Sequence, residues 1–324
     1  MLETVSGMFS IWRFMRHSRD MIAVLCPGQG AQTPGMLAPW LEIPSVAARL
    51  AELSDATDID VVAHGTTSDA DTIRDTAIAQ PLLVATALAT AREVLGDALP
   101  AVAAGHSVGE FGAAALAGAL TDAEAMRLVT VRARAMADAA AVAEPTSMAA
   151  VLGGDPEEVL VALAAHGLTP ANMNGGGQVV AAGSKSAIQA LVASPPARAR
   201  VIELQVAGAF HTETMRPAVA TLAEAAAAIV PSAVAEVLLS NADGARVTSG
   251  SEVLDRLVAQ VANPVRWDLC QQAMLDLGVT AILEVAPGGV LTGLAKRSMK
   301  GIPAVALKSP ADLDAARELL EAHA

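Results

Sequence analysis

The sequence predicts an α/β fold: a mainly parallel sheet covered on both faces, with a smaller subdomain inserted into it. Three observations carry this. Short apolar runs alternate with helical segments early and late in the chain, the rhythm of parallel strands joined by helical crossovers. Between Ser147 and Val206 the rhythm changes to strand, helix, strand, strand, helix, strand. The pentapeptide Gly105-His106-Ser107-Val108-Gly109 stands between an apolar run, Pro100–Ala104, and an alanine-rich segment from Glu110 to Leu120.

The 324 residues suffice for one large α/β domain, or one domain carrying a smaller insert. Hydrophobic residues make up 53%, so a sizeable core can form, and the alanine share suits close packing of helix on sheet. A net charge of −13 argues against nucleic acid and anionic membranes as partners. Cys26 and Cys270 lie far apart in apolar settings without metal-ligand spacing. That usage predicts a reducing, cytoplasmic compartment. No stretch reads as long and apolar enough to span a bilayer, because Gln80 and Pro81 interrupt the best one, Thr76–Ala91.

Residues 1–20 differ from the rest. They hold Phe9, Trp12 and Phe14 among Arg13, Arg16, His17 and Arg19, whereas the remainder of the chain is acidic and poor in aromatics. No continuous apolar run comes after these basic residues, as a signal peptide requires. The segment is expected to be an extension outside the fold, an amphipathic docking segment being the alternative. The fold is expected to start at Met21.

Ile22–Cys26 reads as a buried strand, with Pro27-Gly28-Gln29-Gly30-Ala31-Gln32 as a tight loop after it. Ser45–Leu53 predicts a helix, followed by a polar connection to Asp75. Pro81 suits the first position of a helix over Pro81–Leu95. Thr121-x-x-Glu124 has the form of a capping box for a helix over Asp122–Ala141. Strands are then predicted at Ser147–Leu152, Leu168–Met173, Gln178–Ala182 and Arg200–Val206, with helices at Pro156–His166 and Ser184–Ala193. This order is that of a ferredoxin-like subdomain, with Gly175-Gly176-Gly177 as its middle turn. The domains are therefore expected at 21–146 with 207–324, and an insert at 147–206. Nearer the C-terminus, Val237–Ser240, Ala281–Val285 and Ala304–Leu307 read as strands. Helices are expected at Ser251–Val261, from Trp267 to Gly278, and after Pro287-Gly288-Gly289.

Four positions carry candidate chemistry. A Gly-x-Ser-x-Gly between strand and helix is a nucleophile elbow. The flanking glycines avoid Cβ collisions at the tight turn, and Ser107 Oγ stands clear at a helix N-terminus. There the Val108 amide can stabilise an oxyanion. Gln29, between two glycines, either orients a backbone amide toward the same carbonyl or belongs to an ordinary turn. Arg132 has Leu128, Val129, Ala135 and Met136 three and four residues away, so it projects from the buried face. Arg127 and Arg134 are expected to pair locally with Glu124 and Asp138, but Arg132 has no such acid. It meets either a distant carboxylate or the carboxylate of a substrate. His211, in Gly208-Ala209-Phe210-His211-Thr212, is the remaining candidate for a base or else a satisfied buried histidine. His106 should point away from the serine beside it.

Taken together these motifs resemble the malonyl-CoA:acyl carrier protein transacylases of fatty-acid synthesis and, more broadly, the acyltransferase domains of polyketide synthases. The resemblance spans Met21–Ala324. It rests on Pro27–Gln32, Ala79-Gln80-Pro81, Gly105–Glu110, Val131–Met136, Asn172-Met173-Asn174, Gly208–His211, Asn263–Trp267 and Pro287–Leu291. It implies a hydrolase-like large domain with the ferredoxin-like insert. It also implies Ser107 as nucleophile, His211 as general base and acid, and Gln29 with Val108 as oxyanion hole. Arg132 would bind the malonyl carboxylate, Asn172 would lie near the site, and the Gln260 carbonyl would orient His211. Phe210 would wall the acyl pocket. Malonyl-CoA and acyl carrier protein are the implied substrate and partner, with no metal or organic cofactor and a monomer as the expected state. A serine hydrolase or thioesterase shares the elbow but has no use for the arginine. A carrier-binding module without chemistry would not need all three side chains. For docking an acidic carrier, the candidate basic clusters are Lys296, Arg297 and Lys300, and Lys185, Arg198 and Arg200.

Overall fold

The computed structural model describes residues 21–323; the expectation for residues 1–20 lies outside them. In chain order the strands are β1 (Ile22–Cys26), β2 (Val102–Gly105), β3 (Thr146–Gly153), β4 (Thr169–Gly175), β5 (Gln178–Ser184), β6 (Ala199–Leu204), β7 (Val237–Leu239), β8 (Arg246–Val247), β9 (Ala281–Glu284) and β10 (Ala304–Ala306). They form two sheets, β10-β9-β1-β2-β7-β8 and β4-β5-β3-β6. The first is parallel apart from the β7–β8 pair at its edge. All three pairings in the second are antiparallel.

Every residue of β1 is buried, and the two-residue period of the strand sends its side chains to two cores. Ile22, Val24 and Cys26 pack with the helices Thr76–Leu95, Gly109–Leu116 and Asp122–Val142. Ala23 and Leu25 pack on the other face with Trp267, Cys270, Leu291 and Leu294. Small residues bring the elbow helix close to the sheet: a Cβ on Gly112 would stand 3.2 Å from Cys26 Sγ.

In the second sheet the strand and helix order is as read, with ends displaced by a residue or two. Its own core joins Ala149, Val151 and Ala181 to Val159, Leu163, Ile188 and Leu191 of its two helices. Gly175, Gly176 and Gly177 all have positive φ, 71°, 56° and 76°. A side chain there would be strained at each position.

Hydrogen bonds fasten this sheet to the rest where the chain enters and leaves it and along its β4 edge, where Asn174 O also accepts from Gln271 Nε2 at 2.8 Å. Where the chain enters and leaves it, Ala209 N donates to Thr146 Oγ1 at 3.0 Å. At its β4 edge, Val265 N donates to Ala171 O at 2.8 Å and Met173 N to Val265 O at 2.9 Å.

Several expectations are corrected. The helix expected to open at Pro81 begins at Thr76, where the Asp75 side chain accepts from Ala77 N. The cap sets the start, and Pro81 stands inside the helix, where it forgoes the hydrogen bond its missing N–H would have made to Ala77 O. The same helix, Thr76–Leu95, is long and apolar enough to cross a membrane, contrary to the sequence reading. Here its apolar surface is buried within the protein, as an all-round apolar helix must be. The polar connection before it holds a short helix, Val61–Thr66, and a 3-10 turn, Thr72–Arg74. The elbow helix ends at Leu116 rather than Leu120, with Gly118 at φ 81° just beyond.

The capping box at Thr121 and Glu124 is formed. Glu124 spends its carboxylate there, accepting from Thr121 N and Oγ1 at 2.8 Å each. Arg134 pairs with Asp58, at 2.5 Å, not Asp138. Of the expected local pairs of Arg127 and Arg134, neither is present among the described residues.

Candidate active site

β2 ends at Gly105, and the next helix starts at Gly109. Between them Ser107 adopts φ 53°, a conformation that costs ~1–3 kcal/mol outside glycine. The spacing of the glycines is set by contact. A Cβ on Gly105 would stand 2.0 Å from Gly109 C, and one on Gly109 would stand 2.2 Å from Cys26 O. Asn241 pins the strained turn: Ser107 N donates to its Oδ1 at 2.7 Å, and its Nδ2 donates to Gly105 O at 2.8 Å.

His211 lies in the segment leading back from β6, also at positive φ, 60°. Its Nε2 is 2.7 Å from Ser107 Oγ, and its Nδ1 is 2.9 Å from Gln260 O. A carbonyl only accepts, so Nδ1 carries the proton and Nε2 presents its lone pair to the hydroxyl. Burial, and then the charge of Arg132, hold the imidazole pKa down at about 3. It is therefore neutral at neutral pH.

Arg132 is 1% exposed, on the buried face of its helix as its neighbours indicated. Among the described residues it meets no carboxylate directly. Nη1 donates to Gln80 Oε1 at 2.6 Å, and Nη2 to Gln260 Oε1 at 2.9 Å and Ser107 Oγ at 3.3 Å. Its Nε is buried without a partner among the described residues, and its guanidinium carbon lies 5.7 Å from the centre of the Phe111 ring. Burial lowers its pKa to about 10 against the pull of Glu110, which leaves it cationic. A buried cation held by neutral amide oxygens is under-compensated and suits an incoming anion.

A cavity of about 420 Å³ opens above Ser107 and His211. Gln29 and Val108 line it, as do Arg132, Asn172 and Phe210. No hydrogen bond among the described residues takes the main-chain N–H of Gln29 or Val108. The Gln29 side chain turns aside, its Nε2 3.5 Å from Arg74 O. Gln260 meets His211 from below through its carbonyl. The structure therefore brings Ser107, His211, Gln29, Val108, Arg132, Asn172, Phe210 and Gln260 to one site, while the basic residues singled out for docking lie outside the cavity lining. His106 makes no bond to Ser107, but its ring still reaches the cavity wall, with Nε2 2.8 Å from Asn174 Oδ1.

Sequence reasoning missed three residues beneath the elbow. Gln80 and Glu110 stood inside motifs already noted, without roles. Asn241 gave no signal at all. Glu110 Oε1 accepts from Asn241 N at 2.6 Å, and its Oε2 accepts from Gln260 Nε2. Burial pushes the Glu110 carboxyl above the usual range, against those hydrogen bonds and Arg132.

An elbow serine bonded to a neutral histidine, in a cavity with amide donors, defines a serine acyl-transfer enzyme. Residues 24–313 match the acyl transferase domain family, and the chain belongs to it. The chain is 50% identical over 298 residues to the malonyl CoA-acyl carrier protein transacylase of Mycobacterium tuberculosis (strain ATCC 25618 / H37Rv), covering 91% of this chain and 98% of that protein. It is 38% identical over 307 residues to the Escherichia coli (strain K12) protein of the same name, covering 92% and 99%. The crystal structure of MCAT from Mycobacterium tuberculosis superposes with a TM-score of 0.87 at 50% identity, over 92% of this chain and 99% of that one. A type II PKS acyl-carrier protein complex with its malonyl-transacylase gives 0.85 at 33% identity, over 92% and 99%.

Proposed function

We propose that this enzyme transfers a malonyl group from malonyl-CoA to the phosphopantetheine thiol of acyl carrier protein, supplying fatty-acid elongation. The observation that carries the reading is the buried Arg132 cation beside the nucleophile, 3.3 Å from Ser107 Oγ and bonded to no carboxylate among the described residues. The names of the relatives support the substrate and the partner.

His211 Nε2 takes the Ser107 proton as Oγ attacks the thioester carbonyl. The oxyanion accepts from the main-chain N–H groups of Gln29 and Val108. Collapse breaks the C–S bond, and coenzyme A leaves with the proton from His211. The malonyl-serine ester then meets the carrier thiol, which gives its proton to His211 as sulfur attacks, and Ser107 recovers a proton when the C–O bond breaks. One site serves both halves, so the kinetics are ping-pong. Nε2 alone shuttles the proton, and no step calls for a metal or organic cofactor. Asn172 and Phe210 bound the acyl chain.

The architecture proposed for this chemistry is a hydrolase-like large domain, 21–146 with 207–324, and a ferredoxin-like insert, 147–206. The order β4-β5-β3-β6 supports the second part. The proposed setting is cytoplasmic and monomeric, away from membranes and nucleic acid.

Incubation with malonyl-CoA, read by intact-protein mass, tests the reading. One stable malonyl adduct, discharged by carrier protein, is the expected result. Release of free malonate without carrier would mean a hydrolase or thioesterase, and no change a binding module. A polyketide carrier as acceptor is the second reading, favoured by the structural similarity to a transacylase bound to such a carrier. Discharge rates with both carriers decide between them.

A further inference from the structure

We propose that Glu110 is a positioning residue that sets malonyl selectivity by fixing which way the Gln260 amide faces, so that its oxygen holds Arg132. The inference rests on the malonyl-transfer reading and adds a residue to it.

Gln260 joins the parts of the site. Its main-chain oxygen holds His211 Nδ1, and its Oε1 holds Arg132 Nη2 at 2.9 Å. Its Nε2 faces three acceptors, Ser107 O at 3.0 Å, Asn241 Oδ1 at 3.3 Å and Glu110 Oε2. An amide can be turned over with little change of shape, which would put its NH₂ group against the guanidinium, donor against donor. Glu110 opposes this together with Ser107 O and Asn241 Oδ1, and is the one carboxyl among the three. Its two oxygens face donors on both sides, Asn241 N and Gln260 Nε2. Burial pushes its pKa up to about 8; in the ionised form that these two donors favour it accepts at both atoms, which matches the orientation of the Gln260 amide that turns its oxygen to Arg132. Glu110 is 5% exposed and forms no direct bond to Arg132 among the described residues, so it acts through Gln260.

E110Q keeps the shape and breaks this logic. A Gln at 110 has one acceptor for two donors. If it serves Asn241 N, its NH₂ confronts the Gln260 NH₂ and pushes the amide off the position from which its oxygen holds Arg132. Malonyl-CoA, which needs the guanidinium in place, should suffer more than acetyl-CoA, which does not.

The test is single-turnover acylation of wild type, E110Q, Q260L and the double variant with both substrates. Wild type must first form the malonyl adduct; failure there rejects the functional reading and this inference with it. In E110Q the malonyl-to-acetyl ratio of acylation efficiency should fall roughly tenfold or more, the scale set by a buried donor losing its acceptor. Q260L keeps the main-chain carbonyl and should lower the ratio similarly. Adding E110Q to Q260L should lower it little further, because Glu110 acts only through the amide. An unchanged ratio in E110Q, or independent losses that multiply in the double variant, would overturn the proposal. Should E110Q fail to fold by circular dichroism, an unchanged ratio in Q260L alone would suffice to reject it.

Discussion

Arg132 Nη2 lies 3.3 Å from Ser107 Oγ, so the buried cation touches the nucleophile. An acyl group on Oγ begins its chain at that point. A short acyl chain ending in a carboxylate can fold back on the guanidinium, while a neutral chain of equal length leaves it unmatched.

Arg132→Ala should therefore cost malonyl kcat/KM tens to thousands of fold, from the ~2–5 kcal/mol of a truncated buried charge pair. Acetyl transfer should lose little or gain, because the cation that draws on Oγ and depresses His211 is gone. The malonyl-to-acetyl ratio is the quantity to measure, with circular dichroism as control. Equal losses for both substrates would make Arg132 a structural residue.

The low pKa of His211 sets a pH signature. Its folded value of about 3 lies below the unsuppressed 6.5, so the base is neutral throughout the range between them. The rate of malonyl adduct formation should show no acid limb centred near 6.5. Stability should behave oppositely to that of a salt-bridged histidine. The contribution is complete above pH 6.5 and is lost as pH falls toward 3, because the unfolded chain takes up the proton first. Urea unfolding of wild type and His211→Ala between pH 7 and 4 checks this. The mutant should lose less stability across that window, and its transfer should slow by ~10²–10⁴-fold in both half-reactions.

Much of this site could be seen in the sequence because its signals are local. Ser107 and its glycines form one turn, and Arg132 was marked by neighbours on its own helix. Asn241 was invisible because it joins the elbow from 134 residues away, through pairing of β7 with β2. Arg134 was misassigned because Asp58 reaches it across the fold, while Asp138 was merely near in sequence. Proline position gave a poor helix start at residue 81, where the Asp75 cap had the stronger claim. The helix Leu313–Ala322 was not anticipated, nor was the short β8 edge strand.

Gly109→Ala tests the elbow geometry. Its Cβ would meet Cys26 O at 2.2 Å, and backbone on both sides cannot move aside like a side chain. The thermal midpoint should fall, by the equivalent of ~1–3 kcal/mol or more for overpacking. A midpoint equal to wild type would show that the turn has more room than its geometry indicates.

Phe210 is buried to 6% exposure at the cavity wall. Phe210→Ser should relax discrimination against methylmalonyl-CoA without abolishing malonyl transfer, since one methyl group is worth only ~1–3 kcal/mol. Competition between the two substrates gives the ratio directly. The same ratio before and after would place the size limit on another wall.

Charge reversal at Lys296, Arg297 and Lys300 should raise KM for carrier protein and not for malonyl-CoA, with the difference shrinking at high salt. Arg297 packs over Gly176 of the second sheet's middle turn, 2.9 Å from where a Cβ would stand. Unchanged carrier kinetics would move the docking surface elsewhere.

The second sheet reaches the site along its β4 edge, where Asn172 pairs with Val265, Asn174 Oδ1 meets His106 Nε2 beside the nucleophile at 2.8 Å, and Asn174 O accepts from Gln271 Nε2 at 2.8 Å. Where the chain leaves the sheet, Ala209 N donates to Thr146 Oγ1 two residues before His211. The sheet thus braces both partners of the proton relay, and a pantetheine arm passing Val180 and Leu204 runs along a wall tied to the histidine and to the turn that holds the serine.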